Sequence, residues 1–185
     1  MFTKTLTAVA ILGLTAPAFA QDNPMVGGAE MMADMSIAQN ASNAPNLTTL
    51  VAAVQQAGLV DTLAGDGPYT VFAPTNDAFG MITDEALNAL MMDENRDQLA
   101  QILTCHVVAA EAFSTDIMGM IADDGGMHPV PTVGGCTLTA YEQNGMIMLR
   151  DENGREATVT TADVDQSNGV VHVIDRVMLP AGQAG

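Results

Sequence analysis

Positive charge is what this chain lacks most. Its basic residues are Lys4, Arg96, Arg150, Arg155 and Arg176, set against twenty-two Asp and Glu, for a formal net charge of −17 at pH 7. Such a surface excludes nucleic acid and anionic lipid as partners, because phosphate recognition needs neutralising cations. The acidity has two readings: solubility, as in a saline setting, or cation-bridged contact with anionic glycans and other acidic surfaces. Long apolar runs are also missing. The stretch from Thr5 to Leu14 is about ten residues, whereas a membrane-spanning helix takes roughly 20, so membrane insertion is not expected. Cysteine is limited to Cys105 and Cys136. Their spacing excludes a C-x-x-C redox pair, and neither lies in a zinc-like cluster.

What is present begins with an address. Met1–Lys4 supply a short positive start, Thr5–Leu14 the apolar stretch, and Ala18-Phe19-Ala20 the small residues a signal peptidase reads. Residues 1–20 therefore read as a signal peptide, with a secreted, periplasmic or extracellular product. The mature chain, residues 21–185, has the size of one domain and can bury a core of its own. With Lys4 removed, four arginines face twenty-two acids and the net charge becomes −18. Residues 21–34 read as an N-terminal extension, loose over 21–30, residues 35–180 as the domain, and 181–185 as a tail. In an exported protein a lone cysteine pair reads as a disulfide. Closing a loop of about 30 residues contributes roughly 3–4 kcal/mol; two buried thiols are the other reading.

The first half of the mature chain has helical periodicity. Ala29–Gln39 carries an apolar stripe of Met31, Met32, Met35 and Ile37, and Asn46 is placed to N-cap a helix that Gly58 ends. Tyr69–Ala73 predicts a strand stopped by Pro74, after which Thr75 and Thr83 read as N-caps, and Arg96–Thr104 as a helix. The second half turns to strands. Cys136–Tyr141 and Met146–Arg150 flank Asn144-Gly145, a hairpin signal because this dipeptide tolerates positive φ. Glu156–Thr161 and Val170–Ile174 predict two more. Helices first and strands afterwards predict an α+β domain, with a helix-rich N-terminal half and a strand-rich C-terminal half.

Two segments carry a family resemblance. Thr70-Val71-Phe72-Ala73-Pro74-Thr75-Asn76-Asp77-Ala78-Phe79 resembles the first signature of fasciclin domains. Asn168-Gly169-Val170-Val171-His172-Val173-Ile174-Asp175-Arg176-Val177-Met178-Leu179-Pro180 resembles the second. His106 stands where the family has a Tyr-His pair, with Cys105 replacing the Tyr, and Asn46–Leu50 resembles the family's entry helix. The resemblance spans about residues 35–180. It implies a compact wedge, a β-sheet core with several helices packed against it, and an adhesion role without catalytic residues. Asp163-Val164 resembles the Asp-Ile dipeptide that animal matrix members use toward integrins, which makes these two residues the candidate contact; a strand end is the other reading. Thr75, Asn76, Phe79, His106, Asn168, Gly169 and His172 are family positions whose role reads as mostly structural. The Cys105 departure fits a bridge to Cys136.

Candidate chemistry is sparse. His106, His128 and His172 each stand alone in sequence, the first and third in apolar surroundings and His128 in an expected surface loop. Neither Asp123-Asp124-Gly125-Gly126 nor Asp151-Glu152-Asn153-Gly154 matches a Ca²⁺ loop, and both read as turns, with weak cation contact as the other reading. Fourteen methionines, with Met31, Met32 and Met35 clustered, admit a Cu(I) reading beside that of core packing. No cofactor is expected. The leading reading is an exported, non-enzymatic module that binds a surface protein or polysaccharide; the alternative is a periplasmic metal-binding protein using Met, His or acidic residues.

Overall fold

The computed structural model describes residues 23–183. The expected signal peptide, residues 1–20, lies outside the described residues. Local chemistry sets most helix boundaries. Helix α1 (Ile37–Asn43) opens with a reciprocal capping box, Ser36 Oγ accepting from the Gln39 amide and Gln39 Oε1 from the Ser36 amide. Helix α2 (Thr48–Ala57) ends at Gly58 in the left-handed region, and α3 (Val60–Leu63) follows directly. Strand β1 (Tyr69–Pro74) leads into α4 (Asn76–Phe79), capped by Thr75 through the Ala78 amide at 3.2 Å. Thr83 caps α5 (Asp84–Leu90), and α6 (Arg96–Thr104) runs into the two-residue strand β2 (Val107–Val108). Helix α7 (Ser114–Asp123), β3 (Met127–Pro131), β4 (Thr137–Gln143), β5 (Met146–Arg150), β6 (Glu156–Gln166) and β7 (Gly169–Ile174) complete the order.

The seven strands form one sheet in the order β2-β1-β7-β6-β5-β4-β3. Strands β1 and β7 pair in parallel at its heart, with every other neighbour antiparallel. Both edges are poor templates for further pairing: β2 has two residues, and β3 carries Pro129 and Pro131. Strand alternation splits the core in two. Val71, Ala73, Val171 and Val173 face the helices α1, α2 and α6, whereas Phe72 and Ile174 face α7 and the interior of β4, β5 and β6. The mixed α+β architecture matches the sequence reading, with helices on both faces of the sheet.

Several local expectations need correction. Met31–Met35 is a turn, with helix beginning only at Ile37. The Asn40 side chain holds this turn, accepting from the Met32 amide at 3.0 Å and donating to the Met32 carbonyl at 2.7 Å. Residues 23–30 are not loose, because Val26 is buried and Asn23 brackets Asp165 with two hydrogen bonds to its backbone. Asn46 does not cap α2; its side-chain oxygen is buried without a partner among the described residues. His128 lies on the edge strand β3, not in a loop, and pairs with Asp124 at 2.7 Å. Pro129 and Pro131, which a central strand excludes, hid this strand.

Candidate functional site

The family positions act as connectors between elements distant in sequence. Asn76 supplies the cap that Asn46 does not: its Oδ1 accepts from the Thr49 amide at 2.9 Å, and its own amide donates to the Asn46 carbonyl at 2.8 Å. A residue at the start of α4 thus satisfies the exposed donors of α2. Phe79 is buried in the helical core. Asn168 joins three elements, accepting from the Ile37 amide at 2.9 Å and donating to the carbonyls of Leu63 and Gly65 at 2.8 and 2.7 Å. Gly169 has a φ of 148°, and a Cβ there would lie 1.9 Å from the Tyr69 carbonyl oxygen, so the start of the parallel β1–β7 pairing requires glycine.

Both buried histidines bridge backbone. His106 Nδ1 contacts the Ile102 carbonyl at 2.8 Å, and its Nε2 accepts the Met178 amide at 2.9 Å. His172 uses the opposite arrangement: Nδ1 accepts the Asp163 amide at 3.2 Å and Nε2 contacts the Ala112 carbonyl at 2.9 Å. Accepting an amide requires a lone pair, so both rings are neutral, with the proton on the nitrogen facing the carbonyl. Burial lowers the His106 pKa to about 4 and also lowers that of His172. No ring nitrogen of either is left for proton transfer.

Ser114, Asp163 and His172 lie together, but their bonds are not those of a nucleophile and base. The Ser114 hydroxyl donates to Asp163 Oδ2, and the Ser114 amide donates to Asp163 Oδ1 at 2.6 Å. Asp163 caps α7 from a bulged region of β6, where its φ of 59° turns the carboxylate toward the helix N-terminus. Val164 is 1% exposed, within the helical core. The candidate contact pair therefore consists of a helix cap and a core residue.

Sequence reasoning missed Asp151. Its buried carboxylate accepts from the amides of Asn153, Arg155 and Leu179 and pairs with Arg155 Nε at 3.0 Å. The Asp-Glu-Asn-Gly turn thus clamps the C-terminal segment, helped by Asn153, which donates to the carbonyls of Leu179 and Pro180. The signal was the turn-initiating Asp itself, read only as punctuation. Cys105 and Cys136 form a disulfide. Around it the Val133 amide donates to the Val107 carbonyl and the Gly134 amide to the Thr104 carbonyl. This staple joins the β3–β4 connection to β2, so the two ends of the sheet meet.

Among the described residues no group of three or more His, Cys, Asp or Glu converges as a metal site. The methionine cluster is split as well: Met31 is 4% exposed and Met32 47%. No described helix is long and apolar enough to cross a membrane.

Comparison with known proteins agrees with this architecture. The family model for the fasciclin domain matches residues 45–180. Protein sll1483 of Synechocystis is 38% identical, over 94% of this chain and 98% of its own. The cell surface glycolipoprotein MPB83 of Mycobacterium bovis is 34% identical, over 95% of this chain and 75% of its own. The immunogenic protein MPT70 of Mycobacterium tuberculosis is 34% identical, over 80% of this chain and 71% of its own. A solved pair of FAS1 domains from the insect cell adhesion molecule Fasciclin I superposes with a TM-score of 0.70 at 20% identity, over 78% of this chain and 51% of that one. On its signatures, its fold and these matches, the chain belongs to the fasciclin domain family.

Proposed function

We propose that this protein is an exported, non-enzymatic binding module that contacts a surface protein or a polysaccharide. The observation that carries this reading is the similarity, over 95% of this chain, to a relative named as a cell surface glycolipoprotein. Two features support it. The buried histidines are committed to backbone, so the residues best suited to proton transfer are structural. The surface also carries strong negative charge together with exposed methionines, among them Met25, Met81, Met92 and Met127. Methionine adapts its shape to a partner, and polyanionic surfaces meet other anionic surfaces through bridging cations.

The test is a binding assay of the purified protein against polysaccharides and intact cells, with and without EDTA, at low and high salt. Saturable binding to one surface class is expected, with EDTA sensitivity where cations bridge the contact. Absence of saturable binding to every surface would overturn the reading. Within this proposal residues 1–20 act as the export signal, 35–180 as the binding domain, and Asp163 affects contact through the position of α7.

A further inference from the structure

Between the helices and the sheet lies a cavity of about 260 Å³, partly open to solvent. Its floor is a row of four valines, one from each neighbouring strand. Val107 on β2 stands opposite Val71 on β1, Val71 opposite Val171 on β7, and Val171 opposite Val164 on β6. Adjacent strands lie about 4.8 Å apart, so this floor runs for about 14 Å across the sheet. Leu50 and Val54 of α2, with Leu63 of α3, line the other side. Short branched side chains along the floor leave open the volume that leucine or phenylalanine would fill.

The cavity has few partners for water. Asn40 is spent on the Met32 backbone, and His106 on Ile102 and Met178. Thr104 donates within its own helix. The Gln166 amide nitrogen makes one long bond, 3.4 Å to the Val164 carbonyl, and keeps a donor in reserve. Apolar cavities stay dry, and one of about 150 Å³ takes up benzene. Among the described residues no charged side chain lines this cavity, and the chain's charge of −17 repels anions from it.

We propose that this cavity binds one elongated, uncharged, apolar molecule, whose single neutral oxygen, where present, lies at the Gln166 end. The site lies beneath the helices, apart from the surface contact proposed above, so either can fail without the other.

The test uses the neutral dye Nile red with the purified protein. Emission should rise saturably at one dye per chain and fall on competition with 1-dodecanol. Dodecanoate, of the same length but anionic, should compete at least tenfold more weakly. Two substitutions should plug the slot, V51W on α2 and V60W at its exposed rim, each weakening the dye at least tenfold. Q143S, at the exposed end of β4 and outside the cavity lining, should leave binding unchanged. V60W decides the matter alone if V51W does not fold, because Val60 is 39% exposed. Failure of the folded wild-type protein to bind, indifference to V60W, or sensitivity to Q143S equal to that of the plugs would overturn the proposal.

Discussion

The two faces of the sheet solve burial differently. On the α7 face, Leu138, Ala140, Leu149, Ile174 and Met178 are essentially without exposure, and Phe72 stacks on His172 with ring centroids 5.7 Å apart. On the helical face the same central strands present valines, and α2 and α3 stand over them with open volume beneath. One face packs side chain against side chain, and the other keeps room. Each face also receives a helix cap from far along the chain: Asn76 caps α2 from 27 residues away, and Asp163 caps α7 from 49 residues away. The parallel β1–β7 pair is thus a partition whose two sides are free to serve different ends.

The largest expected effect concerns what holds the two ends of the sheet together. The disulfide spans 31 residues, and replacing Cys105 and Cys136 by Ala should cost about 4 kcal/mol in urea unfolding. A loss below about 1 kcal/mol would show that the hydrogen bonds of Val133 and Gly134 suffice. The faces themselves are compared by one substitution made twice. Leu149→Ala on the packed face should cost about 4 kcal/mol, and Leu50→Ala beside the cavity about 2, because fewer contacts are lost where a void already exists. Equal losses would break the comparison.

A smaller effect is tied to pH. The unfolded chain carries His106 with a pKa near 6.5, whereas in the fold it is about 4. Between these values the unfolded state binds more protons, so stability is complete above about pH 6.5 and falls as the pH drops toward 4. From pH 7 to pH 5 this group accounts for about 2 kcal/mol of lost stability, and His172 acts in the same direction. A His106→Gln variant should show a flatter profile over that range in a denaturation series; an unchanged profile would remove His106 as the cause. The smallest effect is capping. Asp163→Ala should cost about 1 kcal/mol through α7, with Asn76→Ala similar through α2. Asp163→Asn, which keeps an acceptor and tolerates positive φ, should cost less.

What the sequence disclosed follows the range of the forces involved. Thr75, Thr83 and Gly58 act within a few residues, and the Asn144-Gly145 hairpin and apolar β7 are equally local; all were legible. Helix α7 was not. The residue before it, Phe113, cannot cap with its side chain, Gly119 interrupts its interior, and its cap arrives from β6. Strand β3 was hidden by Pro129 and Pro131, which a central strand excludes and an edge strand admits. Met31–Met35 has helical spacing, but Asn40 ties Met32 into a turn. The family signatures were visible as patterns; that the Asn168 side chain joins α1, α3 and the turn at Gly65 is visible only in the fold. A valine row drawn from four strands has no sequence signature at all.

The helical face, on this reading of the sheet, is the yielding and receptive one. Native-state hydrogen exchange, with and without saturating Nile red, tests it most directly. The α2 and α3 amides should exchange by openings of lower free energy than those of β5 and β7, and the dye should slow α2 and α3 selectively. Uniform protection across the two faces, or slowing confined to α7 and β4, would contradict it.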